Sequence, residues 1–135
     1  MGVNPRTICR ISKVRTIEHD EQVALFRWAE VAQYQHPELA LLYAIPNGGH
    51  RHKAVAAKLK AEGVRKGVPD ICLPVPRGRW HGLYIEMKTP TGTVRPEQKR
   101  WLAALRSQGY DAAVCRGWES ARRFIEEYLQ QEGCR

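Results

Sequence analysis

The residues of this 135-residue chain best placed to do chemistry are two acids and an amine. Arg77-Gly78-Arg79 separates two runs of strict alternation, the pattern of a β-hairpin. In the first run Ile71, Leu73 and Val75 share one face, and Asp70, Cys72 and Pro74 the other. In the second, Leu83, Ile85 and Met87 alternate with Tyr84, Glu86 and Lys88. A turn centred on Gly78 sets residues equally distant from it opposite one another, so Asp70 faces Glu86. Directly opposed side chains are rooted about 5 Å apart, and two like charges there repel. A divalent cation offsets the repulsion: Mg²⁺ binds carboxylate oxygens at about 2.0–2.1 Å and takes one or two carboxylates together with substrate phosphate oxygens. Lys88 lies two residues past Glu86 and on the same face. There it can hold or deprotonate an attacking water and offset charge in a phosphorane-like transition state. A solvated sheet face with an ordinary cross-strand ion pair uses the same residue types, so the neighbours must decide.

Pro69 removes a backbone donor where the first strand starts, which suits a sheet margin beside a cleft. Gln98 heads the stripe Trp101, Leu102, Leu105 of a later helix, from which it can reach the acids or simply cap the helix. On the first helix Glu21 heads the inward stripe and Glu18 sits one turn earlier; either can supply a third carboxylate, or both merely favour the helix dipole.

The elements that must position these groups follow from periodicity. A helical pattern runs from Glu18 to about Tyr34 and ends before His36-Pro37. Leu41 to Ile45 reads as a strand, broken by Pro46-Asn47-Gly48-Gly49. A second helix covers about His52 to Glu62, with Gly63 suited to a left-handed cap. After the hairpin, Pro96 opens a helix to about Gln108. Asp111 to Cys115 is a strand, and a last helix begins near Glu119 with the stripe Ala121, Phe124, Ile125, Tyr128. The order α-β-α-β-β-α-β-α predicts an α/β fold, a mixed sheet flanked by helices. Residues 1–16 read as a basic arm and 17–135 as a single domain.

Composition limits the partners. Lys plus Arg number 22 against 14 Asp plus Glu, a formal charge of +8, which fits a polyanion such as DNA. Cys9, Cys72, Cys115 and Cys134 form no C-x-x-C pair and read as reduced packing residues. No apolar run reaches membrane-spanning length and no signal peptide is apparent, so the expected location is the cytosol, with no membrane partner. Arg65, Lys66, Arg77, Arg79, Lys99 and Arg100 flank the hairpin acids and the Gln98 helix in sequence and are candidates for phosphate contact. The Asn47-Gly48-Gly49 loop can offer backbone N–H groups to a phosphate, and Arg51 follows it.

Pro69-Asp70 followed by Glu86-Met87-Lys88 resembles the PD-(D/E)xK nuclease superfamily. With Pro46-Asn47-Gly48-Gly49, Gly67-Val68-Pro69-Asp70 and Pro96-Glu97-Gln98 in the same order, the chain is similar to the virus-type replication-repair nuclease domain, VRR-NUC, from about Glu18 to Leu129. The resemblance implies a restriction-endonuclease-like core and Mg²⁺- or Mn²⁺-dependent hydrolysis of phosphodiester bonds. It implies that Asp70, Glu86 and the Met87 carbonyl bind metal, that Lys88 is the catalytic lysine, that Gln98 orients water or lysine, and that Glu21 or Glu18 completes the shell. Arg95 stands where the family often has Ser or Thr before the helix; it cannot cap as they do, but it can meet phosphate. Stand-alone members occur in phages and bacteria, act on branched DNA including four-way junctions, and tend to be homodimers. The expectation is a structure-selective DNA endonuclease, a Holliday (four-way) junction resolvase. A flap or end-processing nuclease and a catalytically silent nucleic-acid-binding module are the alternatives.

Overall fold

Alternating strands must bury one face against helices, and the arrangement of those helices decides where the polar face opens. The computed structural model describes residues 5–46 and 52–133, with side chains from residue 17 onward. Its elements are helix α1 (Pro5–Ala32), a 3₁₀ turn (Pro37–Leu41), strand β1 (Tyr43–Ala44), helix α2 (Lys53–Ala61), strands β2 (Ile71–Leu73) and β3 (Leu83–Lys88), helix α3 (Pro96–Ser107), strand β4 (Asp111–Arg116) and helix α4 (Trp118–Gln130). The strands form one sheet in the order β1-β2-β3-β4. The first two pairings are antiparallel and β3 with β4 is parallel, so the sheet is mixed as expected. A parallel pair needs a crossover, and α3 supplies it.

The register of the hairpin is the one centred on Gly78. Ile71 pairs Ile85, Cys72 pairs Tyr84 and Leu73 pairs Leu83, which puts Asp70 at the continuation of β2 opposite Glu86. Gly78 takes φ +54°, a left-handed value that suits glycine at a tight turn. One sheet face carries Ile71, Leu73, Leu83, Ile85 and Met87, all at most 1% exposed. They pack with Leu25 and Ala29 of α1 and with Ala121, Ile125 and Tyr128 of α4 in a single core. Burying each such aliphatic side chain contributes about 1.5–3 kcal/mol. The Tyr128 hydroxyl, buried there, donates to the Val75 carbonyl at 2.6 Å. On the other face α3 covers the β3–β4 side with Leu102, 4% exposed. The rest of that face is left to Tyr84, Glu86 and Lys88.

Three boundaries differ from the sequence reading. Helix α1 begins at Pro5, so the backbone of residues 5–16, read as an arm, continues the helix. The helix stops at Ala32, and Pro37 then opens a 3₁₀ turn that buries Leu39 beneath α1. That turn consumes Leu41, so the first strand shrinks to Tyr43–Ala44. Trp28, Trp80 and Trp118 pack partly buried against the core. Cys72 and Cys115 are free and buried, and burial pushes the Cys115 thiol up to about 11, which keeps it protonated and inert. Cys9 and Cys134 lie outside the described side chains.

Gly67 shows how tightly the loop before β2 is set against α3. It adopts φ +93°, and a Cβ there would stand 2.8 Å from the backbone carbon and oxygen of Glu97. Trp101 fastens the same loop by donating its indole N–H to the Lys66 carbonyl at 3.0 Å. Gly67→Ala is therefore expected to destabilise the protein by about 1–3 kcal/mol. Gly63 has a similar φ of +100° but open space around it, so Gly63→Ala should cost less. Thermal melts of the two variants compare strain alone with strain plus clash; equal losses would show that the contact with α3 is unimportant.

Candidate active site

The polar face ends in a cavity of about 230 Å³ between the end of the hairpin, the loop 66–68, the start of α3 and one side of α1. Its lining includes Asp70, Glu86, Lys88, Gln98 and Glu18. The β3 pleat presents Glu86 and Lys88 on one side, and the hairpin register brings Asp70 to them.

Glu86 is the centre of this cluster. It is 2% exposed. Its Oε1 accepts from Gln98 Nε2 at 2.8 Å and lies 3.6 Å from Lys88 Nζ. Its Oε2 is buried and has no hydrogen-bond partner among the described residues. A buried carboxyl oxygen without a partner costs about 1–3 kcal/mol, and more once the group is ionised, so ionised Glu86 calls for a positive partner. Asp70 is tied differently: Oδ2 accepts the Met87 backbone N–H at 2.8 Å, linking the acid to the strand that carries its partners.

The amide of Gln98 is fixed by the helix it begins. Its Oε1 accepts the Arg95 backbone N–H at 2.8 Å, capping the start of α3, and this turns its Nε2 toward Glu86. The capping and the site-facing roles, alternatives in sequence, are filled by one side chain. Arg95 itself makes no side-chain cap, as its lack of an acceptor requires.

Electrostatics follow from burial and crowding. Desolvation first, and the Asp70 charge second, push the Glu86 carboxyl up to about 8 against the pull of Lys88. Burial also raises Asp70; the Met87 N–H and Lys88 oppose this, and the charge of Glu18 adds to it. Two carboxyls that both resist ionisation, beside a bare oxygen, suit a divalent cation, since a cation favours their charged forms. Among the described residues no three His, Cys, Asp or Glu side chains stand ready to hold an ion. The carboxylates present at the cavity, Asp70 and Glu86, fit a hard cation that keeps water and substrate oxygens in its other positions.

The raised acid makes stability depend on pH. Without metal the folded protein keeps the Glu86 proton up to about pH 8, whereas an ordinary glutamate releases it near 4.5. The folded state then binds more protons, and stability from this group falls as pH rises through that window. Added Mg²⁺ should raise Tm by about 5 °C or more at pH 8 and much less in mild acid. Glu86→Gln should remove the difference between the two pH values. Equal gains in wild type at both would contradict a cation held by this carboxylate.

Glu21 requires a correction. It does not join the acids: its Oε2 accepts the Trp118 backbone N–H at 2.6 Å and lies 3.5 Å from where a Gly117 Cβ would be. Gly117 precedes α4 and has no side chain to cap it, so the carboxylate from α1 does so, which suits the positive end of the helix. Glu18, one turn earlier, is the acid of α1 that lines the cavity and acts on both Asp70 and Glu86.

The basic candidates divide. Lys66 and Arg95 line the cavity, Lys66 in an exposed pair with Glu97 at 3.5 Å. Arg65, Lys99 and Arg100 are exposed and do not line it. Arg77 bonds Glu38 at 3.1 Å and Arg79 stacks on Trp80 at 4.4 Å, both at the turn, the far end of the hairpin from the acids. Asn47, Gly48, Gly49 and Arg51 lie outside the described residues. Sequence reasoning missed Arg116, whose Nη1 donates to the carbonyls of Thr89 and Gly92 at 2.7 and 2.8 Å and closes the loop that follows Lys88. It also missed Glu97, held below the usual carboxylate range first by its backbone N–H at the start of α3.

A mixed sheet with helices on both faces, and Pro69-Asp70 set against Glu86-Met87-Lys88 across a hairpin, define a nuclease-type α/β fold. The family model of the VRR-NUC domain matches residues 13–119, and the chain belongs to the VRR-NUC family. A solved structure of a VRR_NUC domain protein is similar, with a TM-score of 0.76 and 28% identity over 87% of this chain and 91% of that one. No match was found among curated proteins.

Proposed function

We propose that the chain is a divalent-metal-dependent, structure-selective DNA endonuclease that resolves four-way (Holliday) junctions in the cytosol. The observation that carries the proposal is Glu86 Oε2, buried without a partner in a cavity it shares with Asp70 and Lys88. In this reading Asp70, Glu86 and the Met87 carbonyl hold Mg²⁺ or Mn²⁺, with Glu18 as the further acid. When bound, the cation acts as a Lewis acid on the phosphate and lowers the pKa of water.

The chain's own residues supply the rest. Lys88, with a side chain 12% exposed, brings an ammonium beside Glu86 and can hold a water or steady negative charge at the phosphate. Gln98 holds one oxygen of Glu86, and the other is buried without a partner. Lys66 and Arg95 at the cavity give the incoming backbone positive partners. Cutting a junction symmetrically needs two sites at once, and a two-fold homodimer meets that need.

The test is cleavage of labelled four-way, flapped and linear DNA in Mg²⁺, Mn²⁺ or EDTA, with the cut positions mapped. Symmetric paired nicks across the junction support a resolvase. Cuts confined to one arm would replace it with a flap or end-processing nuclease. Binding without cutting in any metal would leave a silent binding module, a reading disfavoured by the retained acid pair and lysine.

A further inference from the structure

Next to the acids, the same sheet face carries a band of rings. Register aligns Tyr43, Cys72, Tyr84 and Ala112 as one row across the sheet. It runs beside the row of Asp70 and Glu86, one pleat repeat away, about 6.6–6.8 Å along the strands. Tyr43 and Tyr84 stand on either side of Cys72 in this row, and Cys72 is 4% exposed. Tyr84 meets Tyr110 edge to face at 5.5 Å, and Tyr110 meets His81 at 5.8 Å. Tyr43 nevertheless keeps 48% of its surface exposed, His81 is exposed, and Tyr84 and Tyr110 are only half-buried. Ring surface left in water, one row along the sheet from the acids of a cavity that Lys66 and Arg95 also line, in a chain of net charge +8, matches a polyanion that also offers flat apolar faces.

We propose that this band is a stacking platform for unpaired nucleobases, so that the DNA cut at the acid row carries a nucleotide out of the duplex beside the scissile phosphate. The proposal rests on the endonuclease reading above and narrows it. A base in a continuous duplex has both faces covered by its neighbours, whereas a base in a flap, a gap or an opened junction centre has a face to give. Stacking on an aromatic side chain is sequence-tolerant and changes affinity by about 5- to 150-fold per base.

The test measures binding in EDTA, with the full chain, to labelled flapped DNA and to a blunt duplex of the same length. Tyr43→Ala is expected to weaken flap binding by about 5-fold or more and to leave duplex binding within about twofold, with Tyr43→Trp restoring the flap preference. Tyr43→Leu keeps apolar cover over Cys72 without a ring and should behave as the alanine variant does; it guards against a loss that reflects poor folding. A 2-aminopurine in the flap should be quenched by wild type and less by Tyr43→Leu. Unchanged flap binding, or equal losses on both DNAs, overturns the platform. Because binding is read without metal, failure of wild type to cut DNA in Mg²⁺ sinks the endonuclease reading separately.

Discussion

Asp70→Asn is expected to lower DNA cleavage by about 10³-fold or more, equivalent to about 4 kcal/mol of barrier, while DNA binding stays within about twofold. The substitution keeps the shape of the side chain and an oxygen able to accept the Met87 N–H, the contact made now at 2.8 Å. What it removes is charge, and charge is what a cation needs opposite Glu86. In the proposed reading phosphate contacts fall to basic groups such as Lys66 and Arg95, which line the cavity and which the substitution does not touch. Single-turnover rates and equilibrium binding on the same labelled junction measure the two quantities. A variant that cuts at the wild-type rate removes Asp70 from the mechanism, and one that loses binding as well as cutting makes it part of the DNA surface.

Lys88→Ala is expected to reduce the rate by at least about 10²-fold, the range of a positioned acid, base or charge stabiliser. Its ammonium, 3.6 Å from Glu86 Oε1, also opposes the upward push on the Glu86 carboxyl. Without it that acid should ionise at still higher pH, so the rising limb of the rate profile should move to higher pH as well as lower rate. A loss of rate with an unmoved profile would place Lys88 at the phosphate alone. No loss would reduce it to a structural ion pair.

The geometry of the acid pair was legible in sequence because two local rules agree. Period-two alternation assigned the faces, and the β2–β3 register matches a count about Gly78, although the tight turn itself pairs Arg77 with Trp80 around Gly78 and Arg79 and so is offset from that count by one. The Gln98 position was legible for a similar reason, since Pro96 marks the start of α3 and the stripe through Leu102 marks its buried side. The choice between Glu18 and Glu21 was not legible. Both acids sit on neighbouring sides of one helix, and what separates them is where α1 crosses the start of α4, a tertiary fact visible only once Glu21 is seen capping Trp118. Arg116 escaped notice because its partners are backbone carbonyls, which leave no side-chain signature. The start of α1 was misjudged because residues 5–16 lack a clear apolar stripe, and the brevity of β1 because Pro37 turned the preceding apolar run into a 3₁₀ turn.

The most direct measurement is the cleavage rate of one labelled branched DNA by wild type and by Glu86→Gln, each in Mg²⁺ and in EDTA, with binding recorded alongside. Cutting by wild type in Mg²⁺ alone, and by the variant in neither condition despite intact binding, is the predicted result. Cutting that persists in EDTA, or a Glu86→Gln protein as fast as wild type, would contradict an ion held at that carboxylate.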